Sequence, residues 1–434
     1  MGHLSPSHRV AAGLSVPPGL NQPFAAAQAA WRFYANPSAG LPRLAGPLHE
    51  CARATAPGAC DAHALVVLDW CQLHYGSHAS KADRVALAHS KDLGYELLTA
   101  LVVSDRDGSP LAPVCLELRA ADGVHTTRAP RPAEAPSSLD GLAAVMGHAA
   151  GVLEGSGRTP VFVIDREADS VGHYRAWDAA GHRFLVRADD GRKVLHGGVA
   201  RELGGVADGL RAAGAFAPSR GVEFKGRPAR QYVAETRVVL HRPARTHRVD
   251  RRTGRAKHRN VPGPPLPLRL VVSEVRDERT GAVLARWLLL TNLPGEGEGA
   301  VPAATVALWY YWRWRIESYH KLLKGAGQQA ECWQQETAAA LARRLAIASM
   351  AAVVVWRLAR DAGPEAAEFR GVLVRLSGRQ MKRTKQSRGF TEPALLAGLG
   401  VLLPMLVLLE THTPRQLRRL ADAALPGLLR ADSG

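Results

Sequence analysis

Short β-branched apolar runs, each closed by turn residues, dominate the first half of the chain. Ala64–Leu68 (ALVVL), Tyr95–Ser104 (YELLTALVVS), Pro113–Arg119 (PVCLELR), Pro160–Ile164 (PVFVI) and His182–Arg187 (HRFLVR) read as strands. Helical spacing takes over at Leu139–Leu153 and at about Ser170–Ala180, so the predicted order is β, β, β, α, β, α, β. That alternation points to an α/β domain on a mixed sheet.

From Gly191 to Pro302 the text changes to Gly-, Arg- and Val-rich segments of period two, with strands expected at Arg230–Leu240, Pro267–Val275 and Ala285–Thr291. A β-rich insertion is the expectation. Before the first strand, residues 1–22 read as a loose arm and residues 22–50 as an Ala-rich helix, broken at Asn36-Pro37, with a shorter one after it. Thr337–Arg360 is a long helix with a broad apolar face, and 375–388 is a basic linker. Pro393–Leu409 is strongly apolar but carries Gly398, Gly400 and Pro404, so a buried helix pair is expected there rather than a membrane span.

One helix breaks the usual rule. In Trp309–Lys324 (WYYWRWRIESYHKLLK), Tyr310, Arg313, Glu317, Lys321 and Lys324 share a stripe about 80° wide at 100° per residue, and every one of them is polar. Trp312, Ile316, Tyr319, Leu322 and Leu323 fall opposite and are expected to pack. An acid among bases on one face suits a metal ion beside a polyanion, while a solvated face of i,i+4 ion pairs is the plain alternative.

Charge sharpens this picture. The 434 residues carry a formal net charge of +17, which favours phosphate partners, nucleic acid before an anionic membrane. Between His241 and Asn260 lie Arg242, Arg245, Arg248, Arg251, Arg252, Arg255, Lys257 and Arg259 against Asp250 alone, the pattern of a nucleic-acid contact or of a merely soluble hairpin tip. The five cysteines are scattered with no C-x-x-C pair, which fits a reducing compartment without structural zinc.

Two aspartates end strands: Asp69 after ALVVL and Asp165 after PVFVI. If those strands are adjacent and parallel, both acids leave the same sheet edge, and Glu317 can close over them. Three converging carboxylates repel one another unless cations lie between them, a role suited to Mg2+ or Mn2+. Each also has a plainer use, since an Asp after a strand often serves a turn or caps a helix, as Asp169 or Ser170 also can.

The spacing Tyr310, Arg313, Glu317, Lys324 matches Y-x2-R-x3-E-x6-K, and with WRIESYHKLLKGAG, VFVIDREAD, WLLLTNLP and FAAAQAAWRFYANP it resembles one branch of the bacterial insertion-sequence DDE transposases. The motifs occur in the family's order over most of the chain. The resemblance implies an α/β fold with a ribonuclease-H-like mixed sheet flanked by helices, an inserted β subdomain, and helical N- and C-terminal regions. Its divisions would be 1–59, core 60–192, β insertion 193–299, core 300–362 and a C-terminal helical region 363–434 suited to a dimer contact. It implies a metal-binding triad of Asp69, Asp165 and Glu317 with two Mg2+ or Mn2+ ions, and DNA contacts by Tyr310, Arg313, Lys321, Lys324, Arg187, Arg251 and Arg252. Trp287 matches the place where relatives stack a flipped base, with burial in the insertion's own sheet as its plainer use. The expected partners are inverted-repeat ends and target DNA, with a homodimer in the complex, no membrane, and a bacterial cytoplasmic, nucleoid-associated location. One departure is an N-terminal recognition region that looks shortened, which leaves a non-catalytic relic or a trans-acting inhibitor as the alternative.

Overall fold

The computed structural model describes residues 9–10, 14–15, 23–129, 139–249, 256–379 and 389–424. The chain divides into two compact units, one of residues 41–72 and 95–320, the other of residues 1–40, 73–94 and 321–434.

Among the described residues the larger unit is built on a 13-stranded mixed sheet. Its main strands are β1 (His63–His74), β2 (Leu93–Ser104), β3 (Pro110–Ala120), β4 (Gly123–Thr126), β5 (Thr159–Ile164), β6 (Arg183–Ala188), β7 (Lys193–His196), β8 (Val199–Glu202), β9 (Ala217–Phe224) and β10 (Arg227–Leu240). A separate ribbon of β11 (Ala244–Val249) and β12 (Ala256–Val261) follows, and then β13 (Leu266–Asp277) and β14 (Val283–Thr291) return to the sheet. The order is β8-β7-β10-β13-β14-β6-β5-β1-β2-β3-β4, with β9 beside β10 and the short strand Val85–Ala86 beside β2.

The centre of the sheet is parallel: β1 pairs with β5, and β5 with β6. Ala64–Leu68 and Val161–Ile164 are fully buried, which is why these runs are continuously apolar rather than alternating. Helices cover the sheet: Gly46–Ala59 packs on β3, Leu142–Leu153 on β3 and β5, Val171–Ala179 on β6, and Ala303–Trp312 on β10 and β13. The first of these buries Leu48, Cys51, Ala52 and Ala56, a helical spacing set in the sequence.

The strands expected as an insertion continue the same sheet, because β14 pairs antiparallel with β6 from Leu288↔Ala188 to Thr291↔Leu185. Two expectations need correction here. β1 does not end at Leu68 but runs to His74, its burial falling after Leu68 so that the apolar run marks only its covered half. A helix, Leu203–Ala212, lies inside the β-rich stretch; Gly204, Gly205 and Gly209 hide its period, but burial of Leu203, Val206 and Ala207 holds it.

In the smaller unit, Ala338–Arg360 is the core helix, N-capped by Thr337, whose hydroxyl accepts from the Ala340 N–H at 3.3 Å. Arg343 from this helix donates to the Ala39 and Tyr34 carbonyls at 2.8 Å each, tying down the end of the helix Pro23–Ala35. Residues 393–409, expected as a buried pair, form a single helix, Glu392–Thr411, that continues through Pro404. Gly398 is a contact residue, not a breaker: a Cβ there would come within 2.1 Å of the Leu373 carbonyl, so glycine lets this helix meet the helix Pro364–Leu376. Two described helices are long and apolar enough to cross a membrane by length and composition, Ala338–Arg360, 72% buried in its most apolar window, and Glu392–Thr411, 22% buried.

Candidate functional site

Leu68 and Ile164 are register partners on the parallel strands β1 and β5, so Asp69 and Asp165 follow at matching positions where β5 ends and β1 continues. Their settings differ. Asp165 Oδ1 accepts the Glu167 N–H at 2.8 Å and caps the short turn Arg166–Ala168. Asp69 Oδ1 accepts the Trp70 N–H at 3.1 Å, and burial pushes its carboxyl up to about 7, with Arg313 opposing that rise and Asp165 and Glu317 adding to it. Electrostatic contact with both acids puts the three carboxylates in one neighbourhood.

The helix that brings Glu317 is not continuous. Ala303–Trp312 ends and Trp314–Lys321 begins on either side of Arg313, where the Arg313 N–H bonds to the Tyr310 carbonyl three residues back at 3.1 Å. Trp312, Ile316 and Tyr319 are buried, as are Leu322 and Leu323, so the expected apolar side does pack. On the polar stripe Tyr310 is 5% and Arg313 8% exposed, which excludes an ordinary solvated face at that end.

Arg313 joins the acids. Its Nη1 donates to Asp69 Oδ2 at 3.1 Å and its Nη2 to Glu317 Oε1 at 3.0 Å, while its Nε–H is buried without an acceptor. Burial disfavours this guanidinium, but Tyr310, Asp69, Asp165 and Glu317 outweigh that and hold its pKa above the ordinary arginine value. Burial raises the Tyr310 phenol, against the pull of Arg313 and of Arg187 on β6.

The donor set is all carboxylate oxygen, the chemistry that hard divalent cations prefer. Among the described residues, however, no group of three or more His, Cys, Asp or Glu is spaced to hold a metal ion.

Trp287 on β14 is half-buried and lines a small cleft of about 50 Å³ together with Tyr310, Tyr311, Trp314 and Arg220. Arg220 lies over the Tyr311 ring, 4.4 Å from its centroid, and its Nε donates to Gln231 at 2.8 Å; Gln231 in turn donates to Ser273 Oγ at 2.8 Å. Arg251 and Arg252 lie outside the described residues. Lys321 and Lys324 belong to the smaller unit, where Lys321 is exposed and Lys324 pairs with Glu331 at 3.2 Å.

Two sets of residues escaped the sequence reading. Glu167 lies beside Asp165, its carboxyl raised by burial and by Asp165 and Glu96; the acid cluster DREAD was its only signal. Tyr311, Trp314 and Arg220 line the cleft, and only the aromatic density of WYYWRW hinted at them. Asp169, a candidate helix cap, instead pairs with Arg192 at 3.0 Å and accepts the Tyr174 hydroxyl at 3.0 Å. No family model matches the chain.

Proposed function

We propose that this chain is a DDE transposase with a ribonuclease-H-like core, into which the strands of residues 193–299 are inserted. It would cut DNA at the inverted-repeat ends of its own element and join the freed 3′-hydroxyl to target DNA. The observation that carries the reading is the register of Asp69 and Asp165 on adjacent parallel strands, with Glu317 linked to Asp69 through Arg313. Matching acids on neighbouring parallel strands, a third acid from a helix and a surround of arginines supply what phosphoryl transfer needs, namely positioning and charge neutralisation.

Asp69, Asp165 and Glu317 would hold two Mg2+ or Mn2+ ions, which when bound activate the attacking oxygen and stabilise the leaving one. Arg313 and Tyr310 orient the scissile phosphate, Arg187 adds charge beside Tyr310, and Trp287 offers an aromatic face in the cleft for an unstacked base. Lys321 and Lys324 would grip flanking phosphates. The acting form would be a homodimer bringing two ends together in a bacterial cytoplasm, associated with the nucleoid.

A second reading has one observation in its favour. Arg313 already pairs with both Asp69 and Glu317, an arrangement that a DNA-binding relic or an inhibitor of transposition could keep. Supercoiled plasmid carrying the element's ends separates the two. Mg2+-dependent nicking that disappears in Asp165→Asn and Glu317→Gln supports the transposase; salt-sensitive binding without nicking supports the inhibitor; nicking that survives both substitutions removes the triad assignment.

A further inference from the structure

Lys324 already holds an anionic oxygen. In the smaller unit its Nζ lies 3.2 Å from Oε1 of Glu331, and the same oxygen accepts the His74 N–H at 2.9 Å. The two side chains are 27% and 30% exposed, so this is a half-buried pair rather than two side chains loose in solvent. Glu331 therefore sits on the lysine where a phosphate oxygen would.

The turn that presents Glu331 is built to keep it there. Gln329, just before the short helical turn Ala330–Cys332, stands at φ +51°, a left-handed backbone that a residue with a side chain keeps only when its surroundings impose it. Here the Tyr75 hydroxyl donates to the Ala330 carbonyl and the buried Trp333 donates its ring N–H to the Gln328 carbonyl at 2.8 Å. Arg344 lies over the Trp333 ring, 4.1 Å from its centroid. The His74 ring is itself bonded to Asp92 at 2.9 Å, which steadies the backbone whose N–H holds the carboxylate. An ordinary surface ion pair has none of this fastening.

We propose that Glu331 is an internal competitor for Lys324: its carboxylate occupies the lysine's phosphate position until DNA displaces it. Taking Lys324 as a phosphate grip rests on the transposase reading. A carboxylate and a phosphate offer the ammonium the same contact, a charged oxygen at hydrogen-bond distance. DNA entry then breaks one ion pair as it makes another, so the gain at Lys324 is smaller than a lone lysine would give. Glu331 is a positioning residue in this scheme, setting how tightly the chain holds a strand that it does not itself touch.

Binding of a short fluorescein-labelled DNA duplex to the full chain, followed by anisotropy in EDTA so that no cutting intervenes, tests this. Glu331→Gln keeps an oxygen for the His74 N–H and removes the charge; it is expected to bind DNA roughly two- to fivefold more tightly, with the gain shrinking as salt rises. Glu336→Gln, the same charge change on a nearby exposed residue, should gain less. Glu331→Asp keeps the charge but draws it back from Lys324, so it should also bind more tightly; it carries the comparison if the glutamine variant does not fold. In the Lys324→Gln background the Glu331→Gln gain should vanish, because the exchange has lost its lysine. Lys324→Gln alone should weaken binding and flatten the salt dependence by about one phosphate contact. A Glu331→Gln gain no larger than that of Glu336→Gln, or one that persists without Lys324, overturns the competition and leaves Lys324 on the DNA. If Lys324→Gln changes neither affinity nor salt dependence, the phosphate grip fails first and the competition falls with it.

Discussion

Asp69 and Asp165 stand one residue beyond the register pair Leu68–Ile164, on neighbouring parallel strands of the central sheet. A shift of one residue in that pairing would turn one of the two side chains to the other face. The fully buried runs 64–68 and 161–164 oppose such a slip, so the apolar core fixes the acids' spacing.

Gly108 governs how the signature helix meets that edge. It has φ +70° in the turn between β2 and β3, and a Cβ there would lie 2.5 Å from the Trp312 ring, one residue before Arg313. Gly108→Ala therefore combines a strained backbone with a clash and should cost at least about 2 kcal/mol. Urea unfolding is the check, and nicking should fall further than stability alone explains because Trp312 carries Arg313 with it. An unchanged midpoint would mean the turn yields freely.

Trp287 should behave as a face for a base rather than as a core residue. Stacking is worth about 1–3 kcal/mol per base. Trp287→Ala is thus expected to slow strand processing by roughly 5- to 100-fold, and Trp287→Phe to keep most of the rate. Circular dichroism and melting should show the alanine variant still folded. Loss of folding in Trp287→Ala, or an unchanged rate, would return Trp287 to a packing role.

His49 makes stability depend on pH away from the acids. Burial, with His148 stacked edge-on at 5.1 Å, lowers its pKa to about 4. The unfolded chain takes up this proton near pH 6.5 while the folded chain does so only near pH 4. Below pH 6.5 the unfolded state therefore binds more protons, so this contribution to stability is complete above about pH 6.5 and is lost as pH falls towards 4. Denaturant midpoints at pH 7 and pH 5 should converge in His49→Phe relative to wild type; an equal drop in both proteins would assign the sensitivity elsewhere.

Much of this was legible in the sequence because burial leaves a simple mark. Val66, Val67, Phe162 and Val163 announce central strands, and the side opposite the polar stripe at Trp312, Ile316 and Tyr319 announced how its helix packs. What escaped depends on pairs distant in sequence. That β1 lies beside β5, that Arg313 reaches Asp69 across 244 positions, and that Trp287 shares a cleft with Tyr311 are facts of sheet order, which no local period encodes. The helix at Leu203 was lost to its glycines, and the single helix through Pro404 was missed because Gly398 and Pro404 look like breakers.

If Asp165 is a metal ligand in DNA cleavage, Asp165→Cys should change which metal supports the reaction. A thiolate is a poor ligand for Mg2+ and a better one for Mn2+. The folded variant is expected not to nick element-end plasmid in Mg2+ and to recover nicking in Mn2+, beside an Asp165→Asn control inactive in both. Nicking by Asp165→Cys in Mg2+ at the wild-type rate would contradict it.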